Sequence, residues 1–158
     1  MDKGGACMTC ECEKEKIDNV VCICVDKKEE TTTGRIYNCY SQSSVKFEEV
    51  SELFFSMDKF FDKINFPQAS VASRAFVEAS KNSTESRKEF RKVMSSKDVT
   101  NQKGAKGTFV VHVQYRQNST WQGNVVWAER NISKNFRSAL ELLKLIDGAL
   151  DETEAEGE

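Results

Sequence analysis

The feature that most constrains this chain is an internal repeat. Laid without gaps, Gly34 to Asp62 over Gly123 to Asp151, seven of the 29 paired positions are identical, against roughly two expected by chance. The identities are Gly34/Gly123, Ser44/Ser133, Phe47/Phe136, Glu52/Glu141, Leu53/Leu142, Asp58/Asp147 and Asp62/Asp151. Ile36/Val125, Phe54/Leu143 and Met57/Ile146 add conservative apolar pairs. With one residue of slippage upstream, Val21-Cys22-Ile23-Cys24-Val25 lies over Phe109-Val110-Val111-His112-Val113.

The second copy has the clearer pattern. Phe109, Val111, Val113 and Tyr115 alternate with Val110, His112, Gln114 and Arg116, which is strand periodicity. Gln117-Asn118-Ser119-Thr120 supplies a turn, and Trp121, Gly123, Val125 and Trp127 alternate along a returning strand. Ser138-x-x-Glu141 reads as a capping box opening a helix, whose apolar stripe is Ala139, Leu142, Leu143, Ile146, Ala149 and Leu150. The first copy repeats the scheme. Asn19–Asp26 and Gly34–Tyr40 form its strands, and a helix from about Glu49 to Ile64 carries Val50, Leu53, Phe54, Met57, Phe60, Phe61 and Ile64. Pro67 ends it, because the residue before a proline is pushed out of helix.

A lone hairpin with one helix is marginal, so the two copies are expected to share a core. The predicted fold is α+β: a duplicated β-β-α unit forming a four-stranded antiparallel sheet, with two helices on one face about a pseudo-twofold axis. The expected organisation is a flexible Cys-containing leader (1–18), a first repeat (19–65), a basic connector with a short helix (66–107), a second repeat (108–151) and an acidic tail (152–158). Within the connector, Asn82-x-x-Glu85 would cap a helix to Met94, and residues 95–107 read as flexible linker.

The net charge of −2 makes no global electrostatic case for nucleic acid or for an acidic membrane surface. Its distribution matters more. Residues 66–108 hold nine Lys/Arg against four Asp/Glu, whereas 151–158 hold five acids and no base. Such a tail is expected to be solvated. No apolar run reaches membrane-span length, and the N-terminal residues lack a signal-type apolar core. The expectation is a cytoplasmic protein with reduced cysteines.

Candidate chemistry is sparse. Cys7, Cys10 and Cys12 form C-x2-C-x-C, and Cys22/Cys24 form C-x-C. Zinc sites present well-separated pairs at two- to four-residue gaps, so this spacing fits only in part. The preferred expectation is no metal and no cofactor. With one histidine, His112, in mid-strand, no nucleophile–base–orienter grouping is available, and neither Gly-rich phosphate motif occurs. No enzyme is expected. The two tryptophans share a strand face with Val125 and read as core aromatics.

Phe55 breaks its helix pattern. It falls among Ser51, Asp58, Lys59 and Asp62, away from the apolar stripe, and an isolated aromatic on a polar face marks a contact. The expected partner-binding residues are Phe55, Arg87, Arg91, Arg116 and Gln117, serving a protein partner or a homodimer. The expected function is a non-catalytic interaction or regulatory module, with inhibition of a nuclease or defence complex as a narrower form. The alternatives are a nucleic-acid-associated factor using Arg87, Lys88, Arg91 and Lys92, and a small Cys-rich metal-binding protein. Finally, FVVHVQYRQNSTWQGNVVWAE followed by FRSALELLKLIDGAL resembles a recurrent module of small proteins from Gram-positive gut bacteria. That resemblance covers the second copy and implies no activity. The first copy lacks its Arg-Gln-Asn and Trp residues.

Overall fold

The computed structural model describes residues 19–69, 76, 91–117 and 120–156. Its elements in chain order are β1 (Val20–Lys28), β2 (Thr32–Asn38), β3 (Val45–Phe47), α1 (Val50–Ile64), α2 (Ser96–Thr100), β4 (Gly107–Tyr115), β5 (Gln122–Trp127), β6 (Ile132–Phe136) and α3 (Ala139–Glu156). The strands form one antiparallel sheet in the order β3-β2-β1-β4-β5-β6. The order reads alike from either edge, as a duplication joined at β1 and β4 requires.

Strand alternation decides the layers. Val21, Ile23 and Val25 of β1 and Phe109, Val111 and Val113 of β4 point to one face. There they join Leu53, Met57 and Phe61 of α1 and Leu142, Ile146 and Leu150 of α3 in the main core. On the opposite face, Cys22 and Cys24 pack with Cys39 and Val99 of α2, against Tyr37, Tyr40, Met94 and Val110.

This corrects the expected four-stranded sheet with two helices: the sheet has six strands, and a third helix packs on its other face. Each copy is β-β-β-α, with an added edge strand before its helix. Those strands are three and five residues long, too short to impose a visible alternation. Their anchor is the Phe47/Phe136 identity. Phe47 lies opposite Gly34, and Phe136 opposite Gly123. A Cβ at Gly34 would sit 2.1 Å from the Cys24 carbonyl oxygen and 2.9 Å from the Phe47 ring. At Gly123 it would sit 2.1 Å from the His112 carbonyl oxygen. Both glycines face a β-bulge, since register shifts between Val25 and Lys27 and between Val113 and Tyr115. That shared bulge permits the close approach.

Two further expectations change. The segment read as linker contains α2, because Ser95 and Asp98 close a capping box around its start and Val99 is fully buried. The segment read as solvated tail continues α3 to Glu156, where Arg130 pairs with Glu152 and Glu156. The expected connector helix falls largely outside the described residues, and residues 91–95 are not helical.

The matched glutamates share one job. Glu52 accepts a hydrogen bond from the Glu48 amide at 2.7 Å, and Glu141 accepts one from the Arg137 amide at 2.9 Å. Ser138 accepts from the Glu141 amide at 3.0 Å. The expected cap on α3 is thus present, with its carboxylate reaching one residue further back.

Candidate functional site

A concavity lies where the two copies differ. On α1, Phe60 packs against Phe61 (ring centroids 5.5 Å) and Tyr40 (6.1 Å). The matching position on α3 is Ala149, and Lys59 is replaced by Gly148, around whose missing Cβ there is open space for 4 Å. Removing these side chains leaves a groove of about 330 Å³ between α3 and β6. Its floor is Phe109, Val125 and Trp127; its walls are Ile132 and Lys134 of β6 and Lys144, Leu145, Gly148, Ala149 and Glu152 of α3. Trp127 stacks on Phe109 (6.4 Å), and the Arg130 guanidinium lies 4.8 Å above its ring. Glu156 and Glu152 hold Arg130 and keep its pKa above the ordinary value. The exposed lysines Lys134 and Lys144 leave the other part of the rim positive. An apolar floor with a few charged rim groups suits an apolar side chain carried beside an acid.

The residues marked from sequence are not brought together. Phe55 stands on α1 with 68% of its surface exposed. Its match on α3 is Lys144, at the groove rim. Gln117 is exposed at the end of β4, and Arg91 is exposed on the segment that leads to Met94 on the opposite side of the sheet. Arg87 lies outside the described residues.

Arg116 is the main surprise. Only 6% exposed, it donates through Nε to the Pro67 carbonyl at 2.8 Å and through Nη1 to Asp62 at 2.8 Å and Asp58 at 3.2 Å. Its guanidinium also lies 5.8 Å from the Phe61 ring centroid. Arg116 is committed within the chain, so it offers no contact surface. The mirror arrangement is Lys28 of β1 with Asp147 (3.1 Å) and Asp151 of α3. Burial lowers the Lys28 pKa, but Asp151 and Asp147 outweigh it and hold the net value above normal.

Cys22 and Cys24 are fully buried thiols with Sγ atoms 3.9 Å apart. The hydrogen bond to Cys24 and burial raise the Cys22 pKa far above the thiol range. The same hydrogen bond outweighs burial at Cys24, and with Arg35 nearby its pKa is lowered. His112 is exposed and pairs across the sheet with Val20 and Asn124, whereas Cys24 faces Thr108. Among the described residues, no group of three or more His, Cys, Asp or Glu is placed to hold a metal ion. Cys7, Cys10 and Cys12 lie outside them. Trp121 is core, stacked on Phe54 and edge-on to Phe61, each at 5.5 Å.

Sequence reading missed Trp127, Lys134, Lys144, Gly148 and Ala149 as a group. The signal was available as departures from the repeat: Phe60/Ala149, Lys59/Gly148 and Phe55/Lys144. No family model, curated protein or solved structure matches this chain. Among the described residues, no helix is long and apolar enough to cross a membrane.

Proposed function

We propose that this chain is a non-catalytic protein-interaction or regulatory module of the bacterial cytoplasm. The observation that carries the reading is Phe55, whose ring is 68% exposed on α1 among Ser51, Lys59 and the acids that hold Arg116. Leu140, 60% exposed at the start of α3, adds apolar area to the same helical layer. Burying a Phe ring of this kind against a partner contributes roughly 1.5–3 kcal/mol.

The test compares wild type with Phe55→Asp, first by sedimentation velocity and then by capture from native lysate read by mass spectrometry. The substitution is expected to leave the melting temperature unchanged while abolishing either self-association or a reproducible captured partner. If self-association and the captured set are the same for both proteins, the reading fails.

A further inference from the structure

The geometry points to a peptide-binding mode: we infer that the groove beside β6 accepts an extended peptide as a seventh strand, with an apolar side chain seated on Trp127 and an acidic residue at Lys134 or Lys144. This rests on the interaction-module reading and deepens it.

Three observations converge. First, β6 is the last strand of the sheet order, so its outer side has no neighbouring strand among the described residues. An open strand edge is a template for another chain. Second, the groove lies beside that edge strand on the helix-covered face of the sheet, between β6 and α3, and Ile132 and Lys134 of β6 form its wall. Strand addition takes affinity from main-chain hydrogen bonds and specificity from pockets that receive alternate side chains. Here edge and pocket are adjacent. Third, the first copy carries larger side chains where the second has Gly148 and Ala149. Phe60 fills the position of Ala149, and β3 has three residues against five in β6. A feature present in one copy and lost in the other is not required by the shared fold.

The rim selects the occupant. Glu152 is engaged by Arg130, which leaves Lys134 and Lys144 to set the local charge. The occupant is therefore a strand with alternating apolar residues and at least one Asp or Glu. Lys134 also has a plainer role, since a lysine on an edge strand discourages uncontrolled pairing. That role does not account for the apolar floor of Phe109, Val125 and Trp127.

The experiment pans a phage-displayed random heptapeptide library against the immobilised full chain. The control is the same chain carrying Gly148→Leu and Ala149→Phe, which fills the groove as the first copy is filled. Enrichment of sequences alternating apolar residues with Asp or Glu is expected on wild type only. The best peptide should lose about tenfold or more in affinity when alternate amides are N-methylated, because each lost main-chain bond weakens strand pairing. Lys144→Glu, a surface change that leaves packing alone, should weaken the acidic peptide similarly and supports the inference even if the double variant unfolds. No enrichment over the control, or affinity indifferent to N-methylation and to Lys144→Glu, overturns it. The Phe55→Asp comparison is independent of this groove. Failure here with Phe55-dependent association intact removes strand addition alone, and failure of both removes the module.

Discussion

Arg116, near the end of β4, holds Asp62 of α1 at 2.8 Å across the boundary between the two copies. Lys28, at the end of β1, holds Asp151 of α3 in the reciprocal direction. The identities Asp58/Asp147 and Asp62/Asp151 are thus two ends of one clasp, repeated. Each copy supplies the acids on its helix and the base on its central strand, and each base is used by the other copy. The one-residue slippage that aligns Lys28 with Arg116 lies in the turn: β1 and β4 carry the bulge at matching places, and the second copy has one more residue between its paired strands. Trp121 joins the same boundary by packing on Phe54 and Phe61. Neither copy completes its own helix contacts, which gives the duplication a physical reason to fold as one unit.

The two clasps are unequal, and their difference is measurable. Arg116→Met leaves the Pro67 carbonyl without its donor and removes the buried guanidinium, while the half-exposed Asp58 and Asp62 return to water, and it should cost about 1–3 kcal/mol. Lys28→Met removes a more solvent-accessible pair, worth about 1 kcal/mol or less. Urea unfolding of both variants at neutral pH checks the order. Equal losses would mean that burial of Arg116 adds nothing.

Much of this fold was legible, and the misses share a cause. β1, β2, β4 and β5 are long enough for alternation to show, and the stripe of α1 ran from Val50 to Ile64 as expected. β3 and β6 failed because an edge strand buries one residue, Phe47 or Phe136, and exposes the rest. The role of the matched acids was not legible because Lys28 and Arg116 come from the other copy, a pairing that no local pattern encodes. For the site, Phe55 was found by its mismatch with its own helix. The groove required the opposite comparison, of one copy with the other, where the informative residues are small.

Gly34 and Gly123 should respond alike to substitution. A Cβ at either position meets a carbonyl oxygen at 2.1 Å, which is backbone and yields only by opening the bulge. Gly34→Ala and Gly123→Ala are each expected to cost about 1–3 kcal/mol, whereas Gly148→Ala, in open space within a helix, should stabilise by about 0.4–1 kcal/mol. Thermal unfolding of the three variants is sufficient. A neutral Gly34→Ala would refute the close approach.

The acid limit of stability should depend on Asp26. Arg35 donates to it through Nε at 2.9 Å and Nη2 at 3.1 Å. These hydrogen bonds lower the Asp26 pKa against burial, aided by the Ala105 amide. A depressed folded-state pKa means that the unfolded chain binds the proton more readily as pH falls. The contribution is therefore present above the ordinary value of 3.8 and lost as pH drops through the lower folded value. Asp26→Asn should be less stable than wild type at pH 6, with the gap closing below about pH 4. Urea midpoints between pH 6 and pH 2.5 measure it, and a gap constant across that range would contradict the assignment.

The buried thiols give the last prediction, because reagent access and thiolate fraction can be read separately on them. In a chain carrying Cys7, Cys10 and Cys12→Ser, the remaining Cys22, Cys24 and Cys39 are all fully buried. A thiol reagent should label them at the rate of opening, far more slowly than in denaturant. The cover over Cys22 and Cys24 includes α2, a five-residue helix anchored by Val99. Val99→Ala should loosen that cover and raise the labelling rate about tenfold or more while the main core persists. Once access is gained, the thiolate fraction decides the order. Cys24, whose pKa is lowered, should react before Cys22, whose pKa is raised. Peptide mapping at partial labelling distinguishes the two. Labelling of Cys22 first would show that Cys24 is not the more acidic thiol of the pair, and a rate in Val99→Ala unchanged from the parent would show that α2 is not the cover.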